Sequence, residues 1–144
     1  MRIAYHPTGA ALTTYALNQW LVSAKADIAA SPGIVITLDD PKHPYSFGTE
    51  TIADDRATLS GVPYSRIITT RRRAMLEFNL CTPVIDAHWQ AWSLATYGGR
   101  FPFVWEEPLT GELIAVKAAV VGMVTRRENY QRNQPQALDL IEWL

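Results

Sequence analysis

At 144 residues the chain is the size of one ordinary domain, long enough to bury a single core, and nothing in it suggests a second. Nearly half the residues are apolar and the net charge is −1, which excludes a disordered chain and a bulk nucleic-acid binder. Cys81 is the one cysteine, so an internal disulfide framework and a multi-cysteine zinc site are excluded, and a buried bystander thiol in a reducing cytoplasm is expected.

The amino-terminal stretch MRIAYHPTGAALTTYALNQW has no continuous apolar run near the ~20 residues of a membrane span and no signal-peptide core, so a soluble, unexported protein is expected. Within residues 1–32, Leu12, Ala16, Trp20, Ala24 and Ile28 fall at helical spacing. Thr13, Thr14 and Tyr15, lying between Pro7-Thr8-Gly9 and Ser31-Pro32-Gly33, equally suit a strand or an arm, and the segment is assigned as an arm or extension. GIVITL, from Gly33, reads as a short β-branched strand and DDPKHPYSFG as a turn-rich connection.

Residues 57–80 read as two strands broken near Ser60-Gly61-Val62-Pro63. The second ends in clean alternation. Ala74, Leu76, Phe78 and Leu80 point one way, and Arg73, Met75, Glu77 and Asn79 the other, as in a half-buried antiparallel strand. Thr82 then caps a helix over about 83–97, with Pro83 at its first position and Asp86 in its first turn. Ile85, Trp89 and Trp92 form its apolar stripe, and Gly98-Gly99 stop it. Phe101, Phe103 and Trp105 alternate in a short strand that Pro102 places at a sheet edge. The turn EEPLTGE leads into LIAVKAAVVGMV, an apolar strand covered on both faces, with a bulge expected at Gly122. RRENYQRNQP is a polar hairpin connection and QALDLIEWL the last strand. The fold class is therefore α+β, mainly β: an antiparallel β-sandwich or split barrel at 33–144, with one helix packed on it and the arm before it.

Candidate chemistry is sparse. Glu106 and Glu107 are neighbours, so in extended backbone they point to opposite faces and cannot share one proton or one substrate; a solvated turn is expected. His6, His43 and His88 have no metal-ligand spacing, and Walker, G-x-G-x-x-G and G-x-S-x-G patterns are missing from the sequence. No metal, cofactor or catalytic residue is expected; an enzyme would need a site assembled from Asp86, His88, Glu106 or Glu107. Arg71, Arg72 and Arg73 on one strand and Arg126 and Arg127 on another form either a patch for phosphate or carboxylate or a solvated sheet end. An exposed Trp20 or Trp143 would suit an interface.

The run from Gly33 to Leu144 resembles the minor-tail and distal-tail proteins of tailed bacteriophages. SGVPYSRIITTRRRAMLEFNL is similar to a turn followed by a Thr/Arg strand pair that ends in alternation. CTPVIDAHWQAWSLATYGGRFPFVWEEPLTGE resembles the family's helix, glycine stop, aromatic strand and turn, and VVGMVTRRENYQRNQPQALDLIEW its closing hairpin. The resemblance implies a non-enzymatic structural protein of the virion tail, assembled in the host cytoplasm into a ring between tail tube and hub or fibres. Its partners would be itself and other tail proteins, without membrane or specific nucleic-acid binding. A neck or tail-completion ring and a carbohydrate- or receptor-binding β-module using Trp105 and Trp143 are the alternatives. Tyr15, Trp20, Arg71, Arg73, Trp105, Arg126 and Trp143 are the candidate subunit-interface residues.

Overall fold

The structure, a computed structural model, describes residues 1–79, 81–119 and 137–143. Among the described residues, seven antiparallel strands form one sheet: β1 (Arg2–Tyr5), β2 (Ile34–Thr37), β3 (Ser46–Ala57), β4 (Pro63–Glu77), β5 (Phe103–Glu106), β6 (Leu113–Ala118) and β7 (Ala137–Glu142). Their order across the sheet is β2-β1-β5-β6-β7-β4-β3. Two α-helices complete it, α1 (Thr14–Ala26) and α2 (Pro83–Thr96). The α+β, mainly β class holds, with a single unclosed sheet in place of a two-sheet sandwich.

That sheet is far from flat. Three strands separate β5 from β3, a span of ~19 Å at the usual strand spacing. Yet the Phe47 ring at the start of β3 meets the Trp105 ring of β5 edge to face at 5.8 Å. The sheet therefore curls towards a barrel around the side chains of its α2 face. Lys42, in the connection from β2 to β3, donates its backbone N–H to the Glu77 carbonyl of β4 at 2.7 Å, holding the sheet's two ends near one another.

Residues 1–32 are not an arm. β1 pairs with β2 on one side and β5 on the other, and Ile3, Ala4 and Tyr5 are buried. The alternating hydrophobicity of a four-residue strand is too short a signal to separate from a loop. Behind it, Thr13 caps α1 by accepting the Ala16 N–H, and Leu17, Trp20, Leu21 and Ala24 bury the helix against Ala4, Val104 and Ala115. On the opposite face lies the larger core, where Trp89 and Trp92 of α2 meet Phe78, Phe103, Leu76, Val116 and Leu140. β5 is therefore central, covered by helices on both sides. It starts after Pro102, so the proline withdraws no sheet hydrogen bond and the expected edge position is corrected.

Helix α2 follows its sequence cues. The Thr82 hydroxyl accepts the Ile85 N–H, Pro83 opens the first turn, and the stop is a left-handed run of Tyr97, Gly98 and Gly99 at φ 51°, 70° and 86°. A Cβ at Gly99 would lie 2.8 Å from that of Ala118, so both backbone conformation and space require glycine there. Trp89, Trp92 and Phe103 stack edge to face in series at 5.4 and 5.2 Å.

Candidate functional site

The real projection of this chain is in its middle. β4 pairs with β7 only from Arg73 to Glu77, whereas its pairing with β3 runs from Pro63 to Met75. Among the described residues, beyond Arg73 the two strands pair only with each other and continue as a ribbon. The expected break at Ser60–Pro63 is its turn, closed by the Thr58 N–H donating to the Val62 carbonyl and by Gly61 at φ 83°. The pairing skips Ile68 between Ile52–Thr69 and Ala53–Ile67, a bulge that adds twist and turns the distal ribbon away from the line of the sheet.

Leu59, Val62, Tyr64, Ile67 and Ile68 are all exposed there, Leu59 wholly so and Ile67 at 66%. The skipped residue shifts the alternation, so Ile67 shares a face with Ala53 while Tyr64 shares the opposite face with Arg56, and apolar side chains stand on both sides. Asp54, Asp55, Arg56 and Arg66 give the ribbon both signs of charge.

Where the ribbon leaves the body, the three consecutive arginines grip it. Alternation sends Arg71 and Arg73 to one face and Arg72 to the other, and each finds carboxylates on its own side. Arg71 Nε donates to Glu50 Oε2 at 3.0 Å; Arg73 donates to Glu50 Oε1 at 3.1 Å and, by both Nε and a terminal nitrogen, to Asp139. Arg72 donates to Glu142 at 2.8 Å and to Glu112 at 2.6 Å, and its backbone N–H reaches the other Glu142 oxygen at 3.0 Å. The hydrogen bond from Arg72, outweighing partial burial, holds the Glu142 carboxyl below its ordinary value; that from Arg71 does the same for Glu50. Glu142 and Glu112 in turn push the Arg72 guanidinium further up, and Asp139, with a smaller contribution from Glu50, does the same for Arg73. Arg71, Arg72 and Arg73 are therefore internally neutralised and form an ionic base for the ribbon, while Arg126 and Arg127, the other half of the expected patch, lie outside the described residues.

The glutamate pair separates as alternation requires, but the solvated turn is half wrong. Glu106 pairs with Arg2 across the sheet. Glu107 is 2% exposed, accepts from the Tyr45 hydroxyl at one oxygen, and at the other accepts the Thr110 N–H and hydroxyl at 2.6 and 2.7 Å. Burial raises its pKa, but the hydrogen bonds from Tyr45 and Thr110 outweigh that and keep it ionised, while burial and Glu107 push the Tyr45 hydroxyl up. This carboxylate ties the β5–β6 turn to the segment entering β3. Its one sequence signal was Thr110 three residues on, inside a Pro-x-x-Gly turn.

The other candidate interface residues scatter. Tyr15 is 73% exposed on the outer side of α1. Trp20 is buried under the same helix, and Trp105 is fully buried, its indole N–H directed at Met1 Sδ at 3.1 Å. Neither indole reaches a surface. Trp143 is half-buried, donating to Asn18 Oδ1 at 2.8 Å beneath the Lys117 ammonium. Arg126 and the bulge expected at Gly122 lie outside the described residues. The hairpin's apolar residues escaped the sequence reading because a β-branched Ile67-Ile68 pair looks the same in a core strand and in an exposed one.

Among the described residues no cluster of three or more His, Cys, Asp or Glu is placed to hold a metal, and no helix is long and apolar enough to cross a membrane. Compared with family models, curated proteins and solved structures, the chain finds no match in any of the three.

Proposed function

We propose that the chain is a structural virion protein of a bacteriophage tail, a subunit of the tail tip, baseplate or distal tail that assembles as a ring between the tail tube and the hub or fibres. The observation that carries this reading is the projecting ribbon. An isolated two-stranded hairpin is marginal in water, and this one displays exposed apolar side chains on both faces, Ile67 on one and Tyr64 on the other. Such an element gains its stability when another subunit covers it.

The order of elements supports the same reading: a Thr82-capped helix, a left-handed glycine stop, an aromatic strand, a tight turn and a terminal strand follow one another as in the tail proteins that the sequence resembles. On this account the protein works by being packed, not by turnover, with Glu106 and Glu107 engaged in holding the fold. The glycan-platform alternative is weakened because the Trp105 ring is inside the core. A neck or tail-completion ring would use the same features.

Electron microscopy and mass photometry of the purified protein test the reading. Closed rings are expected; particles of a single chain's mass at every concentration would contradict it.

A further inference from the structure

Resting on the assembly reading above, we infer that the distal ribbon, residues 52–69, is the subunit contact itself and that its partner is a second copy of this chain. Charge narrows the partner first. Asp54 and Asp55 are balanced by Arg56 and Arg66, so the ribbon offers no net field for nucleic acid or an anionic membrane, while a surface bearing both signs can be met by another of its own kind.

Area then decides how the copies meet. The six residue pairs from Ile52–Thr69 to Ala57–Pro63, at ~3.3 Å rise on a ribbon ~10 Å wide, give about 200 Å² on each face. Two ribbons packed only on one another would bury at most about 400 Å² per copy, half of the roughly 800 Å² per partner of a stable interface. Set on a neighbour's body, a ribbon enclosed on both faces buries about 400 Å² in that contact, and each copy in a head-to-tail ring makes two such contacts, one with its ribbon and one with its body, so about 800 Å² per copy is reached only when the ring closes. The bodies have apolar ground to receive it: Tyr15 and Val22, seven residues apart on the outer side of α1, and Leu94 on α2 with Tyr97 just after its end, are all exposed by more than half.

Each face of the ribbon carries an exposed apolar side chain, Ile67 on one and Tyr64 on the other, so a partner that covers both must enclose it. The ionic base aims it. Arg71 and Arg73 on one face and Arg72 on the other fix the angle at which the ribbon leaves, so every copy presents it in the same direction, as a repeating head-to-tail contact requires.

The test compares the full chain with its Tyr64→Asp/Ile67→Asp variant by light scattering across a concentration series, with thermal melts as the folding control. One charge enters each face and neither site touches the core. The expected result is an oligomer for the parent, a monomer for the variant at the same concentrations, and melting temperatures within a few degrees. In the parent, cross-linking of mixed heavy- and light-isotope copies is expected to join ribbon peptides of one copy to α1 or α2 peptides of another. An oligomer of unchanged mass in the variant would overturn this assignment and leave the ring reading standing. A parent that is monomeric throughout would overturn both.

Discussion

The body and the ribbon are built from the same residue types to opposite ends. In the body, Trp89, Trp92, Trp105 and Phe103 are fully enclosed, and both faces of the central strands lie under helices. In the ribbon, Ile67, Ile68 and Tyr64 occupy strand positions of similar propensity and stay about half exposed or more. Strand propensity is thus common to both, and what separates them is whether the chain itself supplies the cover. Between them stands the arginine triplet, which belongs energetically to neither: it is a polar joint, screened by water and sensitive to pH.

This contrast gives graded expectations. Trp92→Ala removes the middle of the aromatic series and is expected to cost about 3–5 kcal/mol, much of a domain's stability, read by chemical denaturation. Glu107→Ala leaves the Thr110 N–H and the Tyr45 hydroxyl without their acceptor, an expected loss of about 2 kcal/mol in the same experiment. Gly99→Ala places a side chain at φ 86° against Ala118, with about 1–3 kcal/mol expected and a correspondingly lower melting temperature.

Arg72→Ala frees the joint and is expected to cost only about 1 kcal/mol, because its bridges are partly solvated. The pH dependence carries its sign. Glu142 and Glu50 are held below their unfolded value of 4.5, so their contribution is complete above that pH and lost as pH falls through the lower folded values. The melting temperature is expected to drop below about pH 4.5, and less steeply in Arg72→Ala than in the parent. Smallest of all, Ile67→Asp is expected to change monomer stability by within about 0.5 kcal/mol, since the side chain is already in water.

Much of the body was legible because its signals are local. Thr82 with Pro83 started a helix, Gly98 and Gly99 ended it, and Ala74, Leu76 and Phe78 alternated into the core. The first 32 residues were misread because β1 is four residues long and α1 buries Leu17, Trp20, Leu21 and Ala24 among alanines that blur the stripe. Glu107 was misread because a carboxylate in a turn is ordinarily solvated; its burial depends on Tyr45, 62 residues away. The ribbon's turn was found and its exposure was not. Exposure at Ile67 follows from β7 pairing with β4 only as far as Arg73, which leaves β4 with β3 as its one neighbour among the described residues beyond that point, a fact of register between strands far apart in sequence.

Hydrogen–deuterium exchange of the full chain, measured at dilute and at assembling concentrations, tests the central claim most directly. The account predicts that amides of residues 52–69 exchange rapidly when dilute and become protected on assembly, while those of β1, β5 and β6 are protected throughout. Fast ribbon exchange that assembly leaves unchanged would contradict it.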